Sequence, residues 1–255
     1  MHVPDGFFDA PVSIGAGVVA AAGIGLCLKG ARRELDDRTA PLAGLTAAFI
    51  FAAQMINFPV ASGTSGHLMG GALAAILVGP YTGVLCISVV LLIQMFFADG
   101  GVTAYGINVT LMGIVSVVVG YGIFRLLMGV LPKNRGGVTV ASFTGAVVSV
   151  PASALAFVGL FAIGGTADLS LGAVATAMLG VHVLIGIGEG VITAVTVGSI
   201  AAVRPDLVHG VSLAPAAPLQ LKGDAGMPVD PLVDTPPGSF TDTPADSPAT
   251  GGASA

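Results

Sequence analysis

Residues 68–98, LMGGALAAILVGPYTGVLCISVVLLIQMFFA, decide how this chain is folded. The run holds no Asp, Glu, Lys, Arg or His. About 20 apolar residues cross a bilayer as a helix, so this stretch is long for one span. Gly79-Pro80 stands in its middle. Proline has no backbone N–H to donate, and its ring clashes with the preceding helical turn. The run is therefore one long span or two, 68–79 and 81–98.

Charge chooses between them. Basic residues cluster from Lys29 to Arg38, again at Arg125, Lys133 and Arg135, and at Arg204. Cytoplasmic loops are enriched in Lys and Arg. The first two clusters share a side only if an even number of spans separates them. Dividing the run gives four, at 41–58, 68–79, 81–98 and 104–130; leaving it whole gives three. With 10–28 before these and 138–163 and 171–203 after them, the chain reads as an all-α, polytopic transmembrane bundle of about seven spans. Its N-terminus lies outside and its C-terminus in the cytoplasm. Segment 68–79 is below the usual spanning length and needs shelter from its neighbours.

Composition agrees. Hydrophobic residues make up 54% and charged residues 9%, and mean hydropathy is +0.94. Soluble domains carry roughly a quarter charged residues. No secretory leader is expected, because Asp5 and Asp9 stand where a basic region is needed. Cys27 and Cys86 form no C-x-x-C and read as small buried residues. The expected organisation is an outer segment 1–9, a membrane domain 10–205 and a tail 206–255. That tail turns to Pro, Ala, Asp, Ser, Thr and Gly without apolar periodicity and reads as disordered and cytoplasmic. It also carries much of the acid behind the net charge of −5. There is no P-loop and no GxGxxG, so no nucleotide site is expected. The surroundings are the lipid of the cell membrane, with no nucleic acid partner.

The chemistry concentrates at the start, Met1-His2-Val3-Pro4-Asp5-Gly6-Phe7. The α-amine of Met1, the backbone nitrogen of His2 and its imidazole can close adjacent chelate rings on one ion. Such nitrogen donors suit nickel, copper and cobalt. Pro4 and Gly6 fix a turn around Asp5. Further on, the loop 59–66 ends in cap residues that should open a helix near Ser65. His67 would then lie in its first turn, where the helix N-terminus favours neutral imidazole. The predicted topology puts His2 and His67 on the same outer side. The outer segments also hold Asp5, Asp9, Asp99 and Asp168 and no Lys or Arg, either as a mouth that attracts cations or as solvated loop residues.

His182 and Glu189 lie seven residues apart on one face of the last span. Ionisable groups inside a membrane are costly and usually functional. They would surround a bound ion, line a cation path, or form a buried pair that fixes helix packing. Gln54, Asn57, Gln94 and Asn108 suit interhelical hydrogen bonds. A rival signal is Gly63-Thr64-Ser65-Gly66, the nucleophile pattern of rhomboid intramembrane serine proteases, with His182 as general base. Rhomboids also carry a Trp-Arg loop, and this chain has no tryptophan. A stand-alone cation transporter using His182 and Glu189 is a further alternative.

The segments MHVPDGF at 1–7, SGTSGHLMGGALAAILVGP at 62–80, FADGG at 97–101 and IGIGEG at 185–190 together resemble the CbiM/NikM family. Its members are the substrate-binding membrane subunits of energy-coupling-factor (ECF) cobalt and nickel importers. The resemblance covers about 1–205. It implies a seven-helix bundle into which the N-terminal segment inserts from outside. It also implies a metal held by four nitrogens: the amine of Met1, the backbone and imidazole of His2, and His67. The family's N-x-x-N-M-G pattern is met at Asn108 but not at Leu111, which loosens one contact around the site. By this resemblance the chain is no enzyme and holds no organic cofactor. Its substrate is Co(II) or Ni(II), destined for uses such as cobalamin synthesis or urease. The implied partners are a membrane coupling (T) subunit, cytoplasmic ATPase subunits and a small accessory membrane subunit. Ala16 and Ala20 on the first span would be a close-packing face for the coupling subunit.

Overall fold

The computed structural model describes residues 2–37, 39–56, 58–61, 64–97 and 100–211. Met1, Asn57 and Asp99, and with them the tail from 212 on, lie outside the described residues. The chain divides into two units, 1–216 and 217–255, and all that follows concerns the first.

Helix α1 (Ala10–Ala31) starts where Asp9 accepts the Val12 N–H at 2.9 Å, with Pro11 in the first turn. Helix α2 is Thr39–Gln54. The next segment departs from expectation. Where a loop and a helix start near Ser65 are predicted, two short antiparallel strands pair instead, β1 (Phe58–Ala61) and β2 (Thr64–Gly66). Helix α3 begins only at Gly71 and ends at Val78. His67 is therefore in irregular backbone ahead of the helix, not in its first turn. The delay has a tertiary cause. The Glu189 side chain takes the N–H groups of Met69 and Gly70, and Gly70 sits at φ +77°, outside the helical region.

The break at 79–80 falls where the sequence divides the long run. Gly79 has φ +93°, a value that favours glycine, and Pro80 opens helix α4 (Pro80–Met95). Glu34, from the loop after α1, caps α4 by accepting the Thr82 and Tyr81 N–H groups at 2.7 and 3.3 Å. Every residue of α3 is buried, which supplies the shelter its short length demands. Helix α5 (Tyr105–Met128) contains a π-helical run, Val109–Val115, that nothing in the sequence signals. Within that run Ser153 donates to the Leu111 carbonyl at 3.0 Å, and Thr110 donates to the Ala16 carbonyl at 3.2 Å. Ala16 and Ala20 are correspondingly buried, at 6% and 3% exposure. They pack inside the bundle and do not form an open face for a coupling subunit.

Helix α6 (Arg135–Gly164) is capped by Asn134 and α7 (Leu171–Val203) by Ser170. Helices α1, α5, α6 and α7, of 22, 24, 30 and 33 residues, are long and apolar enough to cross a membrane. Helices α2 and α4 are shorter apolar helices of 16 residues each. Large apolar side chains such as Leu26 on α1 and Leu184 and Val195 on α7 lie exposed, as suits a multi-pass membrane protein whose surface meets lipid. Cys27 and Cys86 are free and buried, as the sequence implies. Beyond α7 the described chain continues past the predicted boundary at 205. After a 3₁₀ turn at Pro205–Leu207, Val208 is buried. The His209 N–H then binds the Ile76 carbonyl at 2.9 Å, and Arg125 binds the Gly210 carbonyl. The chain thus returns to the end of α3.

Candidate metal centre

The first residues enter the bundle as an arm. Val3 is fully buried and His2 is 3% exposed. Val3 is held like one rung of a strand: its N–H donates to Asn108 Oδ1 at 2.9 Å, and its carbonyl accepts from the Gly101 N–H at 2.9 Å. Gly101 has no room for a side chain, since a Cβ there would stand 2.4 Å from the Asp5 nitrogen. Phe7 and Phe8 pack on Phe157 and Phe161 of α6. Thr166, just beyond α6, donates its hydroxyl to the Gly6 carbonyl at 2.7 Å and its N–H to the Phe7 carbonyl at 3.1 Å. Contacts from α4, α5, α6 and their loops therefore place the arm.

Asp5 accepts the Thr103 N–H at 2.7 Å and its hydroxyl at 2.5 Å. The Thr103 hydroxyl, chiefly, holds the carboxyl below its ordinary 3.8. A depressed carboxyl stabilises above its unfolded value, and the contribution is lost as pH falls through the folded one. Hydrogen exchange at the Thr103 amide, corrected for its intrinsic rate, should therefore stay slow from pH 7 to pH 5 and quicken only in stronger acid. Faster exchange already at pH 6 contradicts this.

The arm delivers His2 onto His67. Their rings stack with centroids 4.3 Å apart and planes 27° apart. His2 Nε2 lies 3.0 Å from Gln94 Oε1. An amide oxygen only accepts, so Nε2 carries the proton. That assigns Nδ1 as donor, the one ring nitrogen able to close a chelate with the backbone nitrogen of its own residue. His67 Nδ1 donates to the Leu68 carbonyl at 2.5 Å, which assigns its Nε2 as donor. Metal-bound histidines are usually oriented in this way, through their other nitrogen. Burial, with His2 acting in the same direction, holds the His67 imidazole well below its ordinary 6.5, so it is neutral at pH 7. The sequence leads to the same state by a different cause, a helix start that is absent. An apolar cavity of about 380 Å³ adjoins His67, lined among others by Ala53, Ile56, Leu184 and Ile185. Among the described residues no three His, Cys, Asp or Glu side chains gather, so an ion here would draw on rings and backbone.

The remaining predicted residues fall apart into separate roles. His182 is fully buried, with Nδ1 donating to the Met178 carbonyl of its own helix at 2.7 Å and Nε2 unpaired. Glu189 does not pair with it; both its oxygens accept backbone N–H groups. Ser65 lies in β2, its side chain outside the described residues, and no described hydrogen bond joins a serine to His182. Asp9 caps α1, Asp5 serves the arm, and Asp168 is exposed. Asn108 holds Val3, while Leu111 is buried in apolar core. Gln54 bonds the Met69 carbonyl at 2.7 Å. Gln94, read only as an interhelical link, proves to touch His2. A lone glutamine in an apolar helix was the available signal.

Fold and site together define a multi-pass helical membrane protein whose own N-terminal arm completes a buried pair of imidazoles. The chain belongs to the CbiM family, described as the cobalt uptake substrate-specific transmembrane region, whose family model matches residues 2–207. It is 49% identical over 127 residues to a putative metal transport protein of Haloquadratum walsbyi, covering 49% of this chain and 58% of that protein. It is 48% identical over 128 residues to the putative fused nickel transport protein NikMN of Archaeoglobus fulgidus, covering 50% and 42%. The chain thus spans about half the length of these two relatives. A putative metal transport protein of Methanocaldococcus jannaschii is 38% identical over 157 residues, covering 61% and 68%. Among solved structures it is similar to a truncated transition metal transporter, with a TM-score of 0.71 at 29% identity over 77% of this chain and 96% of that one.

Proposed function

We propose that this chain is the substrate-capture subunit of an ATP-driven ECF importer, binding Co(II) or Ni(II) from outside and delivering it inward. The observation that carries this reading is the buried stack of His2 on His67, each ring turned by a hydrogen bond at its other nitrogen. The amine of Met1 and the backbone nitrogen of His2 would bring the donors to four nitrogens. A planar set of this kind favours Ni(II), and Co(II) also accepts it. Membership of a cobalt uptake family and likeness to a fused nickel transport protein support both ions.

In this reading the seven helical segments cross the membrane with the arm outside and the C-terminus in the cytoplasm, α3 crossing only in part. The chain is a transport subunit rather than a catalyst. Energy comes from cytoplasmic ATPases joined through a membrane coupling subunit, with a small accessory membrane subunit beside them. Equilibrium dialysis of the purified chain with its native start should find one Ni(II) or Co(II) per chain. Absence of binding to both ions defeats the reading. Gln94→Leu removes the acceptor that fixes the His2 tautomer. It should weaken binding roughly 10- to 100-fold, the usual cost of losing a partner behind a ligand. Unchanged affinity in calorimetry would leave Gln94 a packing residue.

A further inference from the structure

We propose that Glu189 is a positioning residue of the metal site, gripping the backbone of Met69 and Gly70 and so setting where the His67 ring stands. This rests on the reading that His67 binds the ion. Glu189 is fully buried in α7. Its Oε2 accepts the Met69 N–H at 2.7 Å and its Oε1 the Gly70 N–H at 3.0 Å. From the opposite side, Gln54 of α2 donates to the Met69 carbonyl at 2.7 Å. Both peptide groups of Met69 are therefore held, by two helices distant in sequence. Gly70 also presses on α2, since a Cβ there would meet Ile50 at 2.8 Å.

His67 is tied to this grip through Leu68, whose carbonyl accepts its ring N–H. Binding constellations need their groups placed within about 0.5 Å. The helical hydrogen bonds of α3 begin only at the Gly70 carbonyl, which accepts the Ala74 N–H at 2.9 Å, so for the residues ahead of it the Glu189–Gln54 grip supplies that placement. With both oxygens engaged by amides, Glu189 serves anchorage rather than carriage of the ion.

Glu189→Gln keeps the shape but turns one acceptor oxygen into an NH₂ that cannot receive a backbone N–H. The test titrates Ni(II) into the full chain with its native start and records the absorption spectrum of the bound ion. The variant should bind roughly 10- to 100-fold more weakly, with a shifted spectrum as the ring loses its place. Glu34→Gln is the matched control. Glu34, in the loop after α1, is also a carboxylate with two backbone N–H partners, those at the start of α4, and its side chain is 7% exposed; its loss should leave affinity and spectrum unchanged. Wild-type affinity and spectrum in Glu189→Gln, or an equal loss in Glu34→Gln, would overturn the proposal. So would a Glu189→Gln chain that binds normally yet stops uptake in cells, since that places the carboxylate on the ion's route. Where Glu189→Gln yields no folded protein, Gln54→Leu opens the grip from the other helix and is judged by the same two readouts. A native chain that binds no nickel or cobalt defeats the proposed function itself; a native chain that binds, matched by its variants, defeats only the role of Glu189.

Discussion

A histidine-free tag of several residues placed ahead of Met1 should abolish Ni(II) and Co(II) binding, while the same tag after Ala255 should leave it intact. The argument is geometric. An amine three bonds from the His2 nitrogen closes a five-membered ring on the ion, and the His2 nitrogen and Nδ1 close the next. Extension converts the amine to an amide that lacks a basic lone pair. The arm is also seated deep in the bundle: His2 is 3% exposed and Val3 not at all, with both backbone groups of Val3 bonded to Asn108 and Gly101. Extra residues joined to so buried a pair must be accommodated inside the bundle or pull the arm out of it. Intact mass confirms that Met1 is retained, and calorimetry compares the two proteins. Equal binding by both refutes the chelate.

His67→Ala should weaken binding by more than about 100-fold, beyond the cost of losing a partner behind a ligand. His209→Ala should cost little. The two differ in position, not chemistry. His67 is 1% exposed and stacks on His2. His209 binds the Ile76 carbonyl through its backbone N–H, which alanine retains, at the far end of α3. Both variants should elute as intact protein in detergent. A His209→Ala loss matching that of His67→Ala would move the site away from the arm.

The sequence showed most of the architecture because charge and apolar length are additive, local properties. The seven apolar segments and the Gly79-Pro80 break are all helical units or their boundary. The segment 58–70 was misread because its cap residues resemble a helix start. What delays the helix is Glu189, more than a hundred residues away. The same holds for Gln94 and Thr103. Each looks like an ordinary polar residue until the folded arm arrives beside it. His2 stood out as a candidate because a chelate with the Met1 amine needs its atoms close in sequence, whereas His67, 65 residues on, was paired with it only through the predicted topology and the family resemblance. Ala16 and Ala20 show the opposite failing, since a small residue fits an internal contact as well as an external one, and here it is internal.

The arm's anchors carry a consequence for biogenesis. His2 waits for Gln94, Val3 for Gly101 and Asn108, and Gly6 and Phe7 for Thr166. The arm thus finds its seat only after residues 92 to 160 positions further along the chain are in place. A chain halted before Thr166 has made every nitrogen of the proposed chelate but not all of the cradle that seats them, so a seated arm reports that the chain has been made at least as far as Thr166.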